Sequence, residues 1–150
     1  MKRLSLPIAG VATLALAACG GSGAEKRAYD RDPALPADLP FSSAVVVGDT
    51  IYLSGEIGRK PGSTTLVEGG VTAQTKQIFE NIEGTLNRLG SDKSDIVKCT
   101  VYLGDMNDYS AMNAAYAAAF PKEKPARSTV GADGLAMGAA LEIECLAVRK

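Results

Sequence analysis

The chain has 150 residues, 46% hydrophobic and 22% charged, with 16 basic and 17 acidic side chains and a formal charge of −1. That is the composition of one soluble globular domain, without the long basic run or aromatic platform that a nucleic-acid binder needs. His is absent, so imidazole is removed from any acid–base scheme and a zinc site is argued against.

Residues 1–18 start with Lys2 and Arg3, run apolar and end in small residues, a stretch too short to span a bilayer comfortably and typical of an export leader. Leu16-Ala17-Ala18-Cys19 resembles the bacterial lipobox, in which the chain is cut before the Cys and the thiol is acylated. A plain secretory signal with a coincidental Cys is the alternative. The glycines after Cys19 then read as a flexible tether, and Pro33 and Pro36 among charges as an extended spacer. The expected division is a leader over 1–18, a tether over 19–38 and a folded domain over 39–150. Similarity to sorted lipoproteins, with Gly20 after the Cys, implies a lipid-anchored protein of the cell envelope, on the outer membrane and facing the periplasm.

Two short apolar runs flank Gly48-Asp49, a hairpin signal. Residues 61–70 are rich in Gly and Thr and read as a loop. From Val71 the period becomes helical: Val71, Thr75, Ile78, Phe79, Ile82, Leu86 and Leu89 share a face, with Gln74, Lys76, Glu80 and Glu83 largely elsewhere, and Gly90 is a natural stop. Residues 95–103 alternate as a strand, with Val97, Cys99, Val101 and Leu103 on one side. Asn107-Asp108 can cap a second helix that turns Met112, Ala115, Tyr116 and Ala119 inward, and Pro121 and Pro125 end it. Residues 127–132 and 139–148 are the last strands. The order ββαβαββ predicts an α+β mixed sheet with both helices on one face. The other face is then open and, with residues such as Val45, Val47 or Tyr102, calls for a partner surface. Cys99 and Cys145 both fall on apolar registers and are expected to pack as free thiols; a disulfide between them is the alternative that export permits.

Two charges stand out against this pattern. Arg127 and Glu142 each sit in a strand-like run, where a charge needs a partner, a wet face or a task. An ordinary ion pair or solvated strand faces would account for both. Chemically, the guanidinium suits a carboxylate ligand and the carboxylate can move protons. Glu144 shares the face of Glu142 by alternation and is its rival.

In order along the chain, SGEI (54–57), DIVKCTVYLGDMNDY (95–109), MNAAY (112–116), PARSTV (125–130) and LEIECLAV (141–148) resemble the Rid family of enamine/imine deaminases. The match runs over about 39–150. It implies a chorismate-mutase-like fold, a mixed six-stranded sheet with two helices on one face, assembled as a homotrimer with sites between subunits. It further implies that Arg127 holds a substrate carboxylate, that Glu142 rather than Glu144 activates water, and that the Ser54–Gly55 backbone lines the pocket. Asn113 matches a family Asn, with capping or packing as its other reading. Two positions depart from the pattern: Phe41 stands where an aromatic hydroxyl is usual, and Thr129 where a Cys is frequent.

The expected activity is hydrolysis of 2-imino acids or enamines to 2-keto acids and ammonia, with no metal or organic cofactor and no nucleic-acid partner. The alternatives are a homotrimer that binds small carboxylates without turning them over and, as reported for some relatives, a ribonuclease.

Overall fold

The computed structural model describes residues 26–150. The expected leader, Cys19 and the first part of the tether lie outside the described residues. Seven strands and two α-helices follow: β1 Arg27–Asp30, β2 Ala44–Val47, β3 Thr50–Leu53, β4 Glu56–Ile57, α1 Gly70–Arg88, β5 Ile96–Leu103, α2 Tyr109–Ala119, β6 Ala126–Gly131 and β7 Leu141–Val148. The sheet runs β1-β2-β3-β7-β5-β6, and β4 joins the upper end of β7. All pairings are antiparallel except β5–β6, so the mixed α+β architecture is as expected.

Strand alternation and helix period build the core. Ala44, Val46, Ile51, Leu53, Val101, Leu103, Leu141, Ile143 and Ala147 turn to the helical side. They meet Val71, Ile78, Phe79, Ile82 and Leu86 of α1 and Met112 and Tyr116 of α2. Phe79 packs edge-to-face on Tyr116 and Phe120, with centroids 5.2 and 5.0 Å apart. The two-residue turn Gly48-Asp49 places Val47 opposite Thr50, with Gly48 at φ 58°.

Several expectations need correction. The region assigned to a tether carries β1, paired in register with β2 from Arg27↔Val47 to Asp30↔Ala44. Behind it, Arg88 donates to Asp30 at 2.8 Å, and buried Arg59 bridges Asp32 at 3.3 Å and Glu56 at 2.9 Å. The ordered body therefore begins before Leu39, held by ion pairs that carry no apolar signature in the sequence. Val97 is 49% exposed, not inward, because a register shift between Ile96 and Lys98 turns Ile96 in instead. Gln74 is buried, and its side-chain oxygen accepts from the Ala140 N–H at 2.9 Å. Asp108 begins α2 without a side-chain cap; Asp105 does the capping one turn earlier by accepting from the Asn107 N–H at 2.8 Å.

The thiols are also not free. Cys99 and Cys145 form a disulfide. Both point into the core, but β5 and β7 are neighbours and the two residues lie directly opposite. A separation of 46 residues hid a juxtaposition that only the strand order creates.

Candidate active site

β6 is an edge strand beside β5, with Arg127 in register with Cys99. In a parallel pair the side chains of register partners leave on the same side, so Arg127 points to the helical side. There it meets one face of α2. Its Nη2 donates to Asn113 Oδ1 at 2.8 Å and to the Tyr109 hydroxyl at 3.2 Å. Its guanidinium carbon lies 4.5 Å from the centroid of the Tyr116 ring. Tyr109, Asn113 and Tyr116 recur at i, i+4 and i+7, which a helix presents as one stripe. They hold the guanidinium from one nitrogen and one face and leave the rest of its donor fork toward solvent.

Thr129 follows two residues along the same side of β6. Its hydroxyl and that of Tyr116 are buried and without hydrogen-bond partners among the described residues. Buried hydroxyls of this kind ordinarily find a partner, protein or ordered water. Burial pushes the Tyr116 phenol upward, and Arg127 pulls against that.

Glu142 and Glu144 leave β7 on the other side of the sheet, since both alternate with Cys145. Glu142 pairs with Ile57 of β4 and Tyr102 of β5. Its carboxylate lies directly over Gly55, where a Cβ would fall inside the carboxylate itself. Gly55 is thus glycine because Glu142 occupies the space of a side chain. The Ser54 hydroxyl is committed elsewhere: it donates to the Ser42 carbonyl at 2.7 Å and fixes the turn that carries Phe41. Phe41 is 50% exposed. Glu144 accepts from the Tyr102 hydroxyl at 3.3 Å, and its charge, with that of Glu142 behind it, raises the phenol. That bond separates the two rival glutamates: Glu144 has a hydrogen-bond partner in Tyr102, whereas the Glu142 carboxylate lies against Gly55.

The sequence-derived residues thus gather in two groups rather than one. Arg127, Asn113 and Thr129 sit at the β6 edge on the helical side, and Glu142, Ser54 and Gly55 sit on the open side. Tyr109 and Tyr116, which clasp Arg127, escaped the sequence reading as site residues; their spacing from Asn113 was the available signal. A concavity of about 640 Å³ among the described residues contains neither Arg127 nor Glu142. Among the described residues, no group of His, Cys, Asp and Glu could hold a metal ion.

Known proteins share this arrangement of elements. The family model of endoribonuclease L-PSP matches residues 32–149. The 2-iminobutanoate/2-iminopropanoate deaminase of Capra hircus is 44% identical over 110 residues, covering 73% of this chain and 80% of that protein. The enzyme of the same description from Homo sapiens is 41% identical over the same shares. The crystal structure of RidA from an Antarctic Psychrobacter superposes with a TM-score of 0.73 at 36% identity, covering 80% of this chain and 97% of that one.

Proposed function

The chain belongs to the Rid family, which the endoribonuclease L-PSP model describes, and on that premise we propose that it hydrolyses 2-imino acids and their enamine tautomers to 2-keto acids and ammonia. The observation that carries this is the clasped arginine. Arg127 is oriented by Asn113, Tyr109 and the Tyr116 ring, without a carboxylate partner among the described residues. A fork held in place is pre-organised for a substrate carboxylate, which it binds bidentately while fixing the imine carbon in space. Glu142 takes a proton from a water molecule, and the oxygen attacks the imine carbon to give a carbinolamine. Glu142 returns that proton to the nitrogen to make the carbinolamine neutral, then passes the hydroxyl proton to the nitrogen as the C–N bond breaks and the C=O bond forms, so ammonia leaves and the keto acid remains. The Thr129 and Tyr116 hydroxyls have hydrogen-bonding capacity to spare at the clamp, and Phe41 supplies an apolar wall.

This chemistry needs both groups at one substrate. They lie on opposite sides of the sheet, so a second copy must supply one half. A closed homotrimer, in which the β6 edge of one copy meets the open sheet face of the next, unites Arg127 with a neighbour's Glu142. It also covers Tyr52, Val130 and Val148, each at least 41% exposed here. The same proposal keeps Cys19 as an acylated residue after a cleaved leader, with the body lipid-anchored in the periplasm on the outer membrane. Labelling with an alkyne fatty acid that leaves the chain unlabelled refutes that part.

Release of ammonia and keto acid from a freshly generated imino acid tests the activity. Wild-type turnover that Glu142→Gln removes supports it. Keto-acid binding without turnover would instead leave a carboxylate-binding module.

A further inference from the structure

We propose that the end of the sheet at which β1 begins is a docking surface for anionic lipid headgroups. Strand pairing collects five chain segments there: the start of β1 with the β2–β3 turn, the end of β7, and the starts of β5 and β6. The cations are Lys26 and Arg27 entering β1, Lys93 before β5, Lys122 and Lys124 before β6, and Arg149 and Lys150 after β7. All are exposed except the half-buried Lys93 and Arg149, the latter donating to the Gly48 carbonyl at 2.8 Å. Lys93 engages Glu83 at 2.9 Å and Lys150 approaches Asp95 at 3.8 Å. Lys26, Arg27, Lys122 and Lys124 form no ion pair among the described residues. The exposed acids at this end are Asp49, Asp92 and Glu123, so the cations outnumber them.

The opposite end carries exposed Arg31 and Lys60, but its acids outnumber them: Asp105, Asp108, Asp133 and Glu142 lie there, and neither 104–118 nor 131–142 contains a Lys or Arg. A formal charge of −1 therefore conceals a separation of charge along the strands, which orients the body in any field.

Two further observations select a membrane as the occupant. The first is where the chain enters. Lys26 lies at the basic end, and the seven residues from Cys19 to Lys26 reach at most about 25 Å when extended. A lipid on Cys19 therefore tethers the body to the bilayer through this end. The second is a cavity of about 640 Å³ at the same end, lined by the apolar Val97, Phe120 and Pro121 and by Lys93, Lys122 and Lys124 against the single acid Glu123. An apolar lining with lysines beside it suits a phosphate headgroup with the start of its acyl chains, and a juxtamembrane basic cluster adds attraction to an anionic leaflet. The proposal extends the reading of Cys19 as acylated and is independent of the deaminase reading.

Amide hydrogen exchange of the full chain tests it, with vesicles of phosphatidylcholine alone and of phosphatidylcholine mixed with phosphatidylglycerol. The expected result is protection over 93–98 and 120–125 in the mixed vesicles only, abolished by high salt. Joint Lys122→Glu and Lys124→Glu replacement is expected to weaken that protection at least about tenfold in vesicle concentration. Equal exchange in both vesicles overturns the proposal, as does protection by an oligoribonucleotide and by neither vesicle. Intact mass on the same sample reads acylation separately: an unacylated chain still protected by the mixed vesicles refutes lipidation and keeps the surface.

Discussion

Arg127 and Glu142 stand on opposite sides of one sheet: Arg127 shares the register and side of Cys99, whereas Glu142 alternates with Cys145. Each is completed by its own neighbours, Arg127 by α2 and Glu142 by the gap at Gly55.

Removing the fork tests the clamp. Arg127→Ala should lower kcat/KM for an imino acid by more than about a hundredfold with the fold intact, since a bidentate charged contact is lost. Arg127→Lys keeps the charge but not the fork and should recover little of it. Steady-state kinetics with circular dichroism decide this, and retained efficiency excludes Arg127 as the clamp.

Separated half-sites make a complementation experiment decisive. Arg127→Ala and Glu142→Gln chains, each inactive alone, should regain up to about a quarter of wild-type activity when refolded together, because some interfaces then carry both intact groups. Light scattering on the same samples should give a trimer mass. Failure to complement, or a monomer mass, removes the shared site.

Gly55→Ala isolates the Glu142 side. A methyl there collides with the carboxylate, so kcat should fall at least about tenfold while KM, set by the Arg127 side, changes little. A rise in KM with unchanged kcat would place Gly55 in binding rather than in the seating of Glu142.

The cross-strand disulfide stabilises by restricting the unfolded chain. Joint Cys99→Ser and Cys145→Ser replacement should cost about 2–4 kcal/mol in denaturant unfolding. The wild-type mass should be two daltons below that of the reduced protein, one hydrogen lost from each thiol. Equal masses before and after reduction would show free thiols.

Glu56 gives a pH dependence of known sign. Burial raises its carboxyl above the usual 4.5, against the opposing pull of Arg59. A raised group contributes stability that is full below its unfolded value and is lost as pH rises through the folded one. Wild type minus Glu56→Gln, read by thermal melts, should thus be more favourable near about pH 4 than near neutrality. Asp32, held below its ordinary value as Ala34, Arg88 and Arg59 outweigh its burial, shares Arg59 with Glu56 and acts in the opposite sense, its contribution being lost as pH falls. A difference that grows with pH would show that the Arg59 pair outweighs burial.

What the sequence disclosed followed from periodicity. The Gly48-Asp49 turn, the apolar stripe of α1 and the alternation of β7 are local patterns, and each appears in the fold. So do the two charges that broke those patterns. β1 was hidden because three of its four residues are exposed and none is buried, leaving no apolar rhythm among the prolines. The disulfide and the separation of Arg127 from Glu142 depend on strand order, which no local window contains. Tyr116 was legible as a core residue, but its role under the guanidinium is visible only once β6 lies beside α2.

An arginine on an edge strand and a glutamate on an interior one also set how capacity scales with abundance. On the proposed assembly a lone copy is a zymogen without a propeptide: its rate is governed by mass action among copies rather than by cleavage or modification. Confinement to a surface shortens the search between copies, so anchoring would switch on chemistry that dilution in three dimensions switches off.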